Sequence, residues 1–313
     1  MNPYITIIMP IYNGAKYINY MLASLKDQTF DDFQLVIVND ASLDDSENII
    51  MQHLNDFRYP IKYFVLDKHL GAGFARNYAI NMVKTKLMCF LDCDDTVEPS
   101  FLESFVIKYQ KSKYDFCFCD YDVINDDTGS IRITGQMPHK NNLTSLKKAY
   151  FCNKIRICHC CTMFDSNFFI GKKLSYNVNS IIAEDTELIC KAVFLAKNVV
   201  EIKDILYHYH EHASLLHRTP DKSYLTAYPA LIEASKYATN LFWKLYFKKT
   251  RITVLHKFLI DVYNSAGLAV PLYCSLNKIK FSLLFGGPLL RNKESYKQLL
   301  KNIKQKQIVF KNE

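Results

Sequence analysis

No stretch of the 313-residue chain approaches the roughly 20 uninterrupted apolar residues that a membrane-spanning helix needs. The opening "MNPYITIIMPIYNG" lacks a basic lead-in, and its apolar run is cut by Pro10. No secretory signal is therefore expected, and the expected location is cytoplasmic. Repeats and low-complexity linkers are also absent. What remains is a globular chain long enough for one large domain or two smaller ones. A dinucleotide fingerprint is missing too: the glycine element "LGAGFARN" follows the third strand-like run rather than the first, and position 76 is Arg. No recognisable nucleic-acid module occurs, so no nucleic-acid partner is expected.

Cysteine is not scarce. The ten cysteines are spread along the chain, and Cys89, Cys117, Cys119 and Cys190 read as small core residues in a reducing compartment. The cluster "CHCC", Cys158–Cys161, formally contains a CxxC. A zinc site would need a second pair, for which the nearest candidates are the histidines at 208, 210 and 212. That spacing matches none of the usual ligand patterns.

Charge is unevenly distributed. Residues 222–313 carry 16 Lys+Arg against 4 Asp+Glu, while residues 1–221 carry 23 against 27. An acidic body thus bears a basic, aromatic-rich tail. Within residues 1–123 strand-like and helix-like runs alternate: "YITIIMP", "AKYINYMLASLKDQ", "FQLVIVND", "SLDDSENIIMQHLND", "IKYFVL", a helix from about Gly73 to Val83, "KLMCFLD", a helix after Pro99, and "YDFCFCDYDVI". Ser42 is the expected cap of the second helix. This order predicts an α/β fold, a doubly wound and mostly parallel sheet with helices on both faces. Residues 124–221 are less regular, with a turn at "NDDTGSI", a short helix at "TSLKKAYFC", a helix at "AEDTELICKAVFLA" and one long strand or a strand pair at "VVEIKDILYHYHEH". From 222 the pattern is helical.

Open parallel sheets bind ligands beyond the carboxyl ends of their strands. At those ends lie Tyr12 and Asn13, Asn39 and Asp40, Asp67, Asp120 and Asp122, and the stretch "MCFLDCDDTVEP" with Asp92, Asp94 and Asp95. Carboxylates so close repel one another unless a cation sits among them. An Asp-x-Asp at a strand end suits Mg²⁺ or Mn²⁺ shared with substrate phosphates. Gly71 and Gly73 permit a tight turn, and Arg76 stands near a helix start where phosphate or ribose could lie.

The blocks "IIMPIYNGAKYI", "VIVNDASLDD", "GAGFARNYAI", "FLDCDD", "AEDTEL" and "LYHYHEHASL", in that order, resemble glycosyltransferase family 2 over about residues 4–216. The resemblance implies a GT-A fold and an inverting glycosyltransferase that uses a UDP-sugar with Mn²⁺ or Mg²⁺. It implies that Pro10, Tyr12 and Asn13 line the base pocket, that Asp40 reads the uracil, and that Arg76 sits at the nucleotide's edge. Asp92 would hold the ribose and Asp94 the metal, with Asp95 on the sugar side. Asp185 would be the catalytic base with Glu184 beside it, and His210 or His212 would stand near the metal or diphosphate. Two departures stand out. The second-strand block usually ends in two acids and a Gly, whereas here it reads Asn39, Asp40, Ala41. The histidine block is also shorter than the family's pattern.

The expected division is therefore a donor-binding half at 1–123, an acceptor-binding half at 124–221, and a helical tail at 222–313. "NLFWKLYFKKTRITVLHKFLIDVY" interleaves aromatics with lysines, as segments at a bilayer surface do. Contact with the cytoplasmic face of the inner membrane is expected, or a homodimer through the tail. The expected reaction moves a hexose to a hydroxyl of a growing capsule, lipopolysaccharide or exopolysaccharide glycan, or of a lipid-linked oligosaccharide. The alternatives are a non-catalytic nucleotide- or Mg²⁺-binding scaffold and a nucleotidyltransferase.

Overall fold

The computed structural model describes residues 3–133, 142–151, 155–180 and 184–212, together with Lys236. The expected basic helical tail, apart from Lys236, and the loop before it lie outside the described residues.

Four parallel strands open the chain: β1 (Ile5–Ile11), β2 (Phe33–Asn39), β3 (Ile61–Val65) and β4 (Leu87–Phe90). They are connected by α1 (Ile18–Lys26), α2 (Ser46–Asp56) and α3 (Ala72–Ile80). Every residue of β1, β2 and β4 is buried, which is why these strands read as continuous apolar runs rather than alternating ones. There follow β5 (Thr96–Val97), α4 (Phe101–Lys111), β6 (Phe116–Asn125), β7 (Ser130–Ile133), α5 (Leu143–Phe151), β8 (Thr162–Asp165), α6 (Ser166–Gly171), α7 (Glu184–Leu195) and β9 (Val199–Glu211).

The sheet runs β3-β2-β1-β4-β8-β6-β9-β5, with β7 paired outside this path to β6. Helices cover both faces, as expected. α1, α2 and α4 pack on one face, where Phe101 and Phe105 are fully buried; each such ring contributes about 1.5–3 kcal/mol. α3, α5, α6 and α7 pack on the other. The four core cysteines named above are all buried.

Two local expectations need correction, and one open alternative is decided. The expected alternation made β6 the next parallel neighbour of β4, but the four-residue β8 lies between them, antiparallel to both. So short a strand, running straight into α6, carries no periodicity of its own. The expected strand after "NV" is one long β9, parallel to β6, with register shifts on either side of Asp120. Ser42 does not cap α2, which starts four residues later. Its hydroxyl accepts from the Asn13 amide (3.0 Å), tying the β1 and β2 ends together.

Candidate active site

The loops leaving β1 and β2 interlock. Leu43 N donates to Asn13 Oδ1 (2.8 Å), Gly14 N to Ser46 Oγ (2.9 Å) and Ala15 N to Asp44 Oδ2 (2.9 Å). Asn13 (φ 53°) and Ala41 (φ 56°) both take the left-handed conformation that these reversals need. Gly14 answers a different demand: a Cβ there would meet Cys93 Sγ at 2.8 Å. The absent side chain lets the acid-bearing loop lie against the β1 end.

Asp40 is buried, and its carboxylate accepts from Leu70 N (2.8 Å) and Gly71 N (2.7 Å), with His69 Nδ1 at 2.9 Å. Expected to read a base, it holds the 69–71 loop, where Gly71 supplies φ 91°. His69 then stacks on the exposed Tyr12 ring at 3.8 Å between centroids. This aromatic ledge at the β1 end includes a histidine that no motif pointed to. Pro10 lies inside the buried β1.

Beyond β4 the three acids part company. Asp95 is 1% exposed; it accepts from the Tyr207 hydroxyl and from His210 N (2.8 Å). Expected on the sugar side, it instead pins β9 to the acid loop. Asp94 is pushed up to about 6 by burial and by neighbouring Asp92, partly offset by His212 and Arg76. Such a carboxylate favours an added cation. For Asp92, burial pushes upward, but Arg76 and His159 more than offset it and hold the acid below its ordinary value.

Arg76, expected at the nucleotide's edge, is 4% exposed. Its guanidinium lies 2.6 Å from Asp92 and 3.4 Å from Glu184, and sits over the Tyr176 ring. Asp92 comes from the β4 end and Glu184 from the first turn of α7, so one buried cation joins the two parts of the chain. Asp185, the next residue, keeps its side chain 39% exposed. His159 Nδ1 lies 3.6 Å from Asp185 Oδ2, and His159 Nε2 lies 3.9 Å from Asp92 Oδ2. Burial raises Asp185, but the nearby His159 more than offsets it and holds the acid below its ordinary value. His159 itself is lowered by burial and by Arg76 and raised by Asp185, Cys158 and Asp92, which together carry it to about 10. His159 was missed as a site residue because its motif was read only for cysteine spacing. The available signal was a lone histidine inside an apolar, thiol-rich turn just before a strand.

The β9 histidines sort themselves by their partners. His208 is held by Asp122 (2.7 Å) and Glu98 (2.9 Å). His210, an expected metal ligand, has Nδ1 on Asp126 (2.8 Å) and Nε2 on Thr96 (3.0 Å). His212 stacks on Tyr17 and places Nδ1 3.0 Å from Asp126, while its buried Nε2 has no hydrogen-bond partner. A carboxylate that favours a cation and an imidazole nitrogen free to ligate fit a divalent ion held by Asp94 and His212.

Comparison with known proteins bears on the family and the fold. The family model "Glycosyl transferase family 2" matches residues 6–170. The Bacillus subtilis protein EpsH, named as a glycosyltransferase, is 28% identical over 241 residues, covering 74% of this chain and 68% of its own. The teichoic acid poly(glycerol phosphate) polymerase of Staphylococcus epidermidis is 32% identical over 178 residues. That match covers 56% of this chain but only 21% of the relative. The crystal structure of S. aureus TarS 1-349 in complex with UDP-GlcNAc superposes with a TM-score of 0.62 at 20% identity, covering 89% of this chain and 76% of TarS. No helix among the described residues is long and apolar enough to cross a membrane. The chain belongs to glycosyl transferase family 2 and is a glycosyltransferase of the GT-A fold.

Proposed function

We propose that this glycosyltransferase moves a hexose from a UDP-sugar to a hydroxyl of a growing cell-surface glycan, with inversion and with the help of Mn²⁺ or Mg²⁺. The observation that supports the reading is the meeting of Asp92 with Glu184 and Asp185 around Arg76 and His159. Residues 1–123 supply the donor side, with Tyr12 and His69 as the platform for the base. Residues 124–221 supply the acceptor side, and residues 222–313 a membrane-surface or dimer contact. The names of the teichoic acid polymerase and of the TarS complex with UDP-GlcNAc support a UDP-activated donor and a wall or capsule glycan as the product.

Asp185 is the group to take the acceptor's proton. It is half exposed, and it stays ionised because His159 holds it below its ordinary value. As the acceptor oxygen bonds to the anomeric carbon, the bond from that carbon to the diphosphate breaks and UDP departs. Asp94 and His212 would hold the cation, which would neutralise charge on that diphosphate. One carboxylate and one imidazole favour Mn²⁺ over Mg²⁺. The test is UDP release from a panel of UDP-sugars with Mn²⁺, wild type against Asp94→Ala. Release from one donor, lost on chelation and in the variant, supports the reading. Nucleotide binding without turnover of any donor, acceptors included, turns it toward a binding protein.

A further inference from the structure

Cys158, His159 and Cys160 gather beside the Asp92–Asp185 pair in a way that sugar transfer does not require. One ligand atom from each, two sulfurs and an imidazole nitrogen, lie within 4.8 Å of one another. Cys160 Sγ is 3.0 Å from His159 Nε2. The backbone beneath them is fixed: Cys161 N donates to Cys158 O and Thr162 N to His159 O, both at 3.2 Å, and Thr162 Oγ1 adds a bond to Cys158 O at 2.7 Å. Cys158 is only partly buried, which leaves a way in.

The outer contact fits the same purpose. His159 Nδ1 is buried without a hydrogen-bond partner, and the carboxylate facing it is Asp185 at 3.6 Å. An imidazole that ligates through one nitrogen commonly turns the other toward a carboxylate. The sequence alone argues against a zinc site, because its second pair would have to come from the histidines at 208, 210 and 212, at a spacing that matches no usual pattern. The structure supplies the imidazole from inside the motif instead.

We propose that Cys158, His159 and Cys160 form a binding site for a thiophilic d¹⁰ cation of the Zn²⁺ class, separate from the Asp94 centre. Two sulfurs and one nitrogen select soft cations, whereas the Asp94 carboxylate suits hard ones. Three protein donors leave a fourth tetrahedral position for water or an exchangeable ligand. Occupancy displaces protons from the thiols and from the imidazolium and engages His159 Nε2, so it reaches Asp185 through the other nitrogen of the ring. The site stands independently of the donor and acceptor proposed above.

The test is titration of the full chain with Cd²⁺ alone, under a phosphine reductant, followed by cadmium–thiolate ultraviolet absorption. The wild type is expected to bind one equivalent tightly. His159→Gln, which keeps every thiol, and Cys158→Ser each weaken binding by about tenfold or more, while Asp94→Ala leaves it unchanged. Equal midpoints in wild type, His159→Gln and Cys158→Ser overturn the proposal, as does loss of the signal in Asp94→Ala. Should the serine variant fail to fold, two readouts still decide. His159→Gln is one, and the other is the wild-type melting temperature, which must rise with Cd²⁺.

Discussion

The loops at the β1 and β2 ends and the junction between the β4 end and α7 both carry clustered acids, but they are wired differently. At the β1 and β2 ends, Asp40 and Asp44 are met mainly by backbone amides a few residues to some thirty residues away. Those carboxylates are finished, and their work is to shape loops. At the junction, Asp92, Glu184 and Asp185 are met by the side chains of Arg76 and His159 across 16 to 108 positions of sequence. Three buried polar atoms there, Arg76 Nε, His159 Nδ1 and His212 Nε2, have no hydrogen-bond partner. Unpaired buried groups are costly and uncommon in folded proteins. Carboxylates satisfied mainly by backbone build a site's frame, while charges paired mainly to distant side chains leave capacity for a ligand.

The contrast can be broken most severely at Arg76. Arg76→Met removes the one buried cation that joins Asp92 to Glu184. It is expected to cost about 3–5 kcal/mol, read as a lower urea midpoint, and to abolish donor turnover. An unchanged midpoint would place the junction's cohesion elsewhere.

A smaller effect is expected at Asp165, which combines the two kinds of wiring, one backbone amide with the side chains of Tyr109 and Lys86. It caps α6 through Phe168 N (3.0 Å) and accepts from Tyr109 (2.5 Å). Burial raises this acid, but Tyr109, Phe168 N and Lys86 more than offset it and hold it below its ordinary value. Its contribution is therefore complete above the unfolded value of about 4 and is lost as pH falls through the lower folded value. Asp165→Ala is expected to cost about 1–2 kcal/mol at neutral pH. In thermal melts the gap to wild type should close as pH drops below about 4. A gap that widens in acid would contradict the assignment.

The smallest effect is a gain. Ala41 holds φ 56° at the β2 end, where the family's pattern has Gly. Ala41→Gly is expected to stabilise the chain by about 1 kcal/mol, measured by denaturant unfolding, without changing turnover. A loss of stability would mean that the Ala41 methyl packs usefully.

The parallel strands and their helices were legible because each buries an apolar run long enough to carry a period. β8 was not, since four residues between a thiol-rich turn and α6 have none. The acids at the strand ends were legible by position, but their division of labour was not. Asp94 and Asp95 are neighbours in sequence, yet only the pairing with Tyr207 and His210 N, made by β9 from more than 110 residues away, turns Asp95 inward. His212, just beyond β9, is set apart from His208 and His210 by its unpartnered Nε2. His159 shows the converse: much of its weight comes from partners far away in sequence, at 92 and 185.

The central claim is that the junction holds a base distinct from the nucleotide contacts. It is tested most directly by measuring UDP affinity and donor turnover side by side in Asp185→Asn. Turnover lower by about 10²–10⁴ with UDP affinity within a few-fold of wild type is the expected result. Turnover at the wild-type rate, or a fall matched by an equal loss of UDP affinity, would contradict it.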